Sequence, residues 1–209
     1  MGDKSGKLFL VSTPIGNLAD ITYRAIDILN AVSLIAAEDT RHSKKLLSHY
    51  NILTPMISYF EYNRFKRIPK LMEHLAGGND LAVITDAGTP GISDPAYRLV
   101  REAISNLVTI ESIPGPSAFL AGLVSSGLPT DRFIFEGFLP PKKGRKKRIL
   151  SIEKEEATII YYESPNRLVR TIGQLKEFLG DRPAVVTREL TKLHEEIKRG
   201  TLSTLYSYF

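Results

Sequence analysis

Leu81-Ala82-Val83-Ile84-Thr85-Asp86-Ala87-Gly88-Thr89-Pro90-Gly91-Ile92-Ser93-Asp94-Pro95 is the most telling stretch of this chain. It opens as an apolar strand, breaks into a loop of Gly and Pro, and starts a helix at Asp94-Pro95. In open α/β sheets such a crossover lies at the carboxyl edge of a strand, where ligands bind. Gly88 and Gly91 let a ligand come close to the main chain. Asp94 is placed to cap the helix and Pro95 to fill its first position. A capped βα turn is the plain alternative, and any α/β protein has several. Gly-Thr-Pro-Gly between two aspartates is more loop chemistry than a turn needs.

The same alternation extends to both sides. Residues 7–12 read as a strand ending at Thr13-Pro14-Ile15-Gly16-Asn17. Residues 23–32 carry Ala25, Ile26, Ile28, Leu29 and Val32 at helical spacing, with Thr22 as a cap. Strands follow at 34–37, 56–60, 81–85 and 108–113. Between them lie a short helix through Leu46 and Leu47 and helices at 65–75 and 96–104. Pro114-Gly115-Pro116-Ser117-Ala118 opens a further helix at 119–124. Five strand–helix alternations predict a mainly parallel sheet with helices on both faces.

Gly127-Leu128-Pro129-Thr130-Asp131 interrupts the pattern and reads as a linker. It separates an N-terminal α/β domain (1–126) from a smaller C-terminal α/β domain (132–209). The second domain shows three clear strands (133–138, 158–162, 184–187) and a helix (168–179), so its sheet is expected to be mixed. The last residues, Tyr206-Ser207-Tyr208-Phe209, read as an aromatic stop with no finishing strand, as of a domain incomplete at its C-terminus.

The bulk composition is ordinary for a soluble globular protein: 209 residues, 43% hydrophobic and 24% charged. No cysteine is present, which excludes disulfides and thiolate metal sites. Lys4 and Lys7 precede no signal-type apolar segment, and no apolar run reaches the length of a membrane span. A cytoplasmic protein without membrane contact is expected. The net charge is +5, a pointer to a polyanionic partner. Lys142-Lys143-Gly144-Arg145-Lys146-Lys147-Arg148 concentrates six cations in seven positions. Such a run is usually a solvated face. Like charges repel, however, and nucleic-acid phosphate would relieve them and release counterions.

The commonest cofactor motifs are missing. No G-x-G-x-x-G follows the first strand, and neither a P-loop nor a G-x-S-x-G elbow occurs. His42, His49, His74 and His194 lack metal-ligand spacing, so no metal is expected. What remains is three Pro/Gly loops at strand ends: 13–17, 86–94 and 114–118. Three such loops at one sheet edge would form a cleft lined with backbone groups.

Ser12-Thr13-Pro14-Ile15-Gly16-Asn17-Leu18, Ala37-Glu38-Asp39-Thr40-Arg41, the 85–95 loop and Pro114-Gly115-Pro116-Ser117-Ala118 together resemble the tetrapyrrole methylase superfamily, and its ribosomal-RNA branch most closely. Phe135-Glu136-Gly137-Phe138-Leu139-Pro140, Tyr162-Glu163-Ser164-Pro165-Asn166-Arg167 and Arg188-Glu189-Leu190-Thr191-Lys192 continue the resemblance, which covers essentially the whole chain. It implies two α/β domains with S-adenosylmethionine in the cleft between them. It implies a homodimer that methylates the ribose 2′-hydroxyl of a cytidine in small-subunit ribosomal RNA, free or in the ribosomal subunit. Members of the family usually continue past the point where this sequence stops.

The donor-binding residues expected on that resemblance are Pro14, Gly16, Asp86, Ala87, Gly88, Ser93, Asp94, Ser117 and Ala118, with Leu139, Tyr162 and Glu163 from the second domain. A ribose hydroxyl is a weak acid, so a proton acceptor would help by ~10²-fold or more. Asp39, Asp86 and Glu38 are the catalytic candidates, with Glu163 and Glu189 as further ones. Glu38-Asp39-Thr40 could equally cap a helix, and Glu163 could pair with Arg167. Arg41, Lys142, Lys143, Arg145, Lys146, Lys147 and Arg148 are expected to hold RNA phosphate. Arg64, Lys66 and Arg67 are expected to extend that surface, with Tyr59 and Phe60 available to stack on a base. Two other readings stay open: a methyltransferase acting on a small tetrapyrrole, and a non-catalytic RNA-binding assembly factor with this fold.

Overall fold

The computed structural model describes residues 5–209; Lys4 lies outside the described residues. The chain divides into two compact units, Met1–Ser117 and Ala118–Phe209. The division falls before the expected linker. The 127–131 segment lies inside the second unit, where the Pro129 carbonyl accepts the Thr158 hydroxyl at 2.7 Å.

The first unit contains β1 (Leu8–Val11), α1 (Tyr23–Ala31), β2 (Leu34–Ala37), α2 (Thr40–His49), β3 (Met56–Ser58), α3 (Arg64–Ala76), β4 (Leu81–Ile84), α4 (Ala96–Ser105) and β5 (Ile110–Ile113). The strands form one parallel sheet in the order β3-β2-β4-β1-β5. Alternate strand residues feed two cores. Phe9, Ile35, Ala82 and Ile84 face Ala25, Leu29, Leu46 and Leu47 of α1 and α2. Leu8, Ala36, Leu81 and Val83 face Leu71, Leu75, Leu99 and Ala103 of α3 and α4. Two buried faces explain why these strands read as continuous apolar runs. The Thr22 hydroxyl caps α1 by accepting from Ala25 N–H at 3.1 Å.

The second unit contains α5 (Ala118–Ser126), β6 (Phe133–Phe138), α6 (Arg145–Leu150), β7 (Thr158–Tyr162), α7 (Leu168–Leu179), β8 (Pro183–Arg188), β9 (Glu196–Thr201) and α8 (Leu202–Tyr208). Its four strands form two separate pairs, β6–β7 parallel and β8–β9 antiparallel. The expected three strands therefore become four, and the chain does not run out after β8. β9 escaped detection because Glu-Ile-Lys-Arg-Gly-Thr has one aliphatic residue; its register comes from β8. α8 is held by a reciprocal capping box between Thr201 and Thr204. It buries Leu202 and Leu205 on Ile172 of α7.

Candidate functional site

A parallel sheet sends every βα loop of the first unit to the same edge, and four of them interlock there. Thr13, after β1, exchanges backbone hydrogen bonds with Gly88, after β4, at 2.9 and 3.0 Å. Gly88 has φ +85°, a conformation that penalises any Cβ. A Cβ built there would lie 3.6 Å from Ile15 Cγ2 and 3.7 Å from the Pro116 carbonyl oxygen. At Gly115 a Cβ would meet Ser12 Cβ at 3.0 Å, so the loop after β5 lies directly against the end of β1. Thr89 adds a hydrogen bond to the Pro116 carbonyl and receives one from the Ser12 hydroxyl. The three Pro/Gly loops read from the sequence are thus brought together. The threonines that tie them, Thr13, Thr85 and Thr89, were passed over because a lone Thr carries no motif.

The loop after β2 supplies the carboxylates. Glu38 accepts the Thr85 hydroxyl at 2.6 Å and the Asp86 N–H at 3.4 Å. Asp86 accepts the Asp39 N–H at 3.0 Å. Asp86 loses water to its surroundings, and that desolvation, with Glu38 and Asp39 adding negative charge, holds its pKa above the ordinary aspartate value. Asp39 behaves oppositely. Its hydrogen bonds from the Arg41 side chain and Arg41 N–H pull its pKa down to about 2. It caps α2, so the capping alternative describes Asp39.

Asp94 stands one residue earlier than a strict cap, since Pro95 is the residue preceding α4. Both its oxygens accept the Gly91 N–H, at 2.9 and 2.8 Å, and one also takes the Ala96 N–H at 2.8 Å. Burial raises its pKa. Inside this closed loop Ser93 has φ +66°, a strained position for a residue with a side chain. Pro14 is buried, Gly16 and Ala87 are exposed, and Ser117 is half-buried at the end of the first unit.

In the second unit Ala118 opens α5, and Leu139 is buried just after β6. Tyr162 ends β7 with its ring 4.9 Å from that of Phe135 and 5.5 Å from that of Phe138. Glu163 is engaged on both oxygens. One takes Ser164 N–H and Arg167 Nε, each at 2.8 Å; the other takes the Thr171 hydroxyl at 2.7 Å and Arg145 at 3.4 Å. Burial pushes its carboxyl up, and these hydrogen bonds and cations more than reverse it, so its pKa is lowered. With both side-chain oxygens engaged by its neighbours, Glu163 holds α6, α7 and the end of β7 together, which speaks against a side-chain contact with the donor. Glu189 pairs with Lys192 at 3.1 Å.

The basic run is likewise sorted by folding. Its second half is α6, not loop. Arg145 is 3% exposed and bonds Gln174, Thr171, Glu163 and the Pro140 carbonyl. It faces inward with its guanidinium already bonded, so it is not placed to hold phosphate as expected from the sequence. Arg148 pairs with Glu136 at 2.5 Å. Lys146 lies 4.9 Å from the Phe178 ring centre. Lys142, Lys143 and Lys147 are exposed, as is Arg41. Among the described residues no group of three or more His, Asp or Glu could hold a metal ion, and no helix is long and apolar enough to cross a membrane.

A parallel sheet with interlocked carboxyl-edge loops and a desolvated aspartate defines an open-sheet α/β protein whose candidate site lies at that edge. Residues 7–206 match the family described as Tetrapyrrole (Corrin/Porphyrin) Methylases, and the chain belongs to that family. Among curated proteins, it is 52% identical to Ribosomal RNA small subunit methyltransferase I of Synechocystis sp., over 98% of this chain and 74% of that one. It is 46% identical to the protein of the same name from Thermotoga maritima, over 98% of this chain and 92% of that one. Among solved structures, it resembles a cobalamin biosynthetic enzyme, cobalt precorrin-4 methyltransferase, with TM-score 0.68 and 17% identity over 97% of this chain and 88% of that one. A diphthine synthase gives TM-score 0.75 and 15% identity over 97% and 84%. Identities this low carry the fold alone.

Proposed function

We propose that this chain uses S-adenosylmethionine to methylate the ribose 2′-hydroxyl of a cytidine in small-subunit ribosomal RNA, acting as a homodimer. The observation that carries the reading is the convergence of four loops around Asp86, in a chain this similar to proteins named for ribosomal RNA methylation. When bound, S-adenosylmethionine would supply a methyl group on a sulfonium, whose leaving group is a neutral thioether. The residues present suit such a ligand: an under-solvated carboxylate for the cationic centre, the Ser93 and Ser117 hydroxyls, and the main chain of 13–16, 86–88 and 114–117. The resemblance implies Ala118, Leu139 and Tyr162 as further donor contacts.

Each remaining step belongs to the chain's own groups. The interlocked loops hold donor and acceptor in line, which is the larger part of the acceleration. Asp86, with its raised pKa, takes the proton from the ribose hydroxyl. Glu38 fixes Asp86 through its N–H and through Thr85. Exposed Arg41, Lys142, Lys143 and Lys147 hold RNA phosphate.

The test incubates the protein and labelled donor with intact small ribosomal subunits, free small-subunit RNA or a tetrapyrrole. Nuclease digestion and mass spectrometry then locate the methyl group. 2′-O-methylcytidine is expected. Label on a base or on the tetrapyrrole overturns the reading; no label, with no calorimetric heat of donor binding, favours the assembly factor.

A further inference from the structure

The segment joining β3 to α3 and the first turn of α3 carry one buried aromatic ring and several exposed ones. Tyr59 is 2% exposed, and its hydroxyl donates to the Pro95 carbonyl at 2.9 Å. It is a strut, which corrects the expectation that it stacks on a base. Tyr62 is 92% exposed and Phe65 73%. Phe60 stands edge-on to Tyr62 with ring centres 6.4 Å apart, and the Arg64 guanidinium lies 4.7 Å from the centre of the Phe65 ring. Lys66, Arg67 and Lys70 follow on the same helix. Glu61 is the one acid within residues 60–70, and it pairs with Arg64.

The location gives these rings a use. Tyr59 N–H donates to the Ala37 carbonyl at 2.8 Å, so the chain leaves β3 alongside Glu38-Asp39. β3 is the edge strand, two strands from β4. At ~5 Å per strand, the β3 exit stands about 10 Å from that of Asp86, one or two nucleotides along an extended RNA. Solvent-facing rings among net positive charge match unpaired bases and their phosphates. A duplex keeps its base faces stacked and offers the rings nothing. A second copy fits poorly, since a two-fold contact would set this cationic face against itself.

We infer that Tyr62 and Phe65 stack unpaired bases flanking the target nucleotide, and that Lys66, Arg67 and Lys70 neutralise the phosphates between them. This rests on the proposed RNA substrate. The test measures binding of the full chain to a single-stranded oligoribonucleotide and to a blunt-ended RNA duplex of the same composition, across a salt series. The paired substitution Tyr62→Leu and Phe65→Leu keeps apolar bulk and removes the π faces. It should weaken single-strand binding about tenfold or more and leave duplex binding unchanged, while Tyr62→Phe stays within about twofold of wild type. Lys66→Gln with Lys70→Gln should lower the single-strand salt slope by ~1.4. Unaltered melting temperature and donor affinity confirm that the variants are folded.

Wild-type affinity in the folded leucine variant overturns the inference. So does a change of sedimentation coefficient with RNA affinity intact, which would make this face a contact between copies. Because binding is read separately from methyl transfer, a wild-type protein that binds through these rings but methylates no ribosomal RNA refutes the proposed function and leaves only the stacking of unpaired bases standing.

Discussion

Asp39 and Asp86 are linked by one hydrogen bond and are driven to opposite protonation behaviour. A carboxyl held at about 2 by Arg41 is a feeble proton acceptor, whereas a desolvated one is better matched to the task. Asp86→Asn should therefore lower turnover ~10²-fold in a single-turnover assay. Asp39→Asn should leave most activity, because Asn caps a helix as well as Asp does. The sign with pH follows. Asp86 accepts a proton only when ionised, so the rate should climb as pH rises through its raised pKa, and the pH–rate profile should lose that limb in Asp86→Asn. Gly88→Ala places a Cβ at φ +85° and should cost about 1–2 kcal/mol in thermal unfolding, with weakened donor binding by calorimetry. The sequence named both aspartates but left cap and base undistinguished, since Glu38-Asp39-Thr40 satisfies either chemistry. The Arg41 contact marks Asp39 as the cap and leaves Asp86 as the proposed base.

Among elements, α6 changes most between sequence and structure. Its cations suggested a solvated charge run, yet Arg145 and Ile149, one helical turn apart, are both buried. That spacing was the available signal, and the density of charge concealed it. Arg145, Thr171 and Glu163 join α6, α7 and the end of β7. Glu163→Ala leaves a buried guanidinium without its anion and should cost about 3–5 kcal/mol in denaturant unfolding. Glu163 has a folded pKa below its unfolded value, so its contribution is complete above the unfolded pKa and is lost as pH falls through the folded one. The acid-unfolding profile of the variant should lose that component. Lys142→Gln with Lys147→Gln should behave differently, reducing the salt slope of RNA binding by ~1.4 without lowering the melting temperature.

At the scale of the molecule, each unit has its own core: two faces of a five-stranded sheet in the first, and a cluster of Ile172, Leu202 and Leu205 in the second. Removing α8 deletes two of those three residues, each worth about 2–5 kcal/mol when lost from a core. Residues 118–201 should then exchange amide hydrogens rapidly while the β1–β5 sheet stays protected. The first unit was legible because its signals are local. Apolar strands, helical periodicity and Gly/Pro breaks lie within short windows, and parallel connectivity then gathers the loops at one edge. β9 and α8 were not, because a charged strand and a short helix acquire their stability from β8 and α7. The amino-acid order was enough to establish the alternating layers, the family and the loops that matter. Folding settled the role of each charge: Arg145 inward, Asp39 as cap, Asp86 under-solvated. Those roles depend on partners such as Thr85 and Glu38, 47 residues apart in the chain, and no short window contains both halves of such a pair.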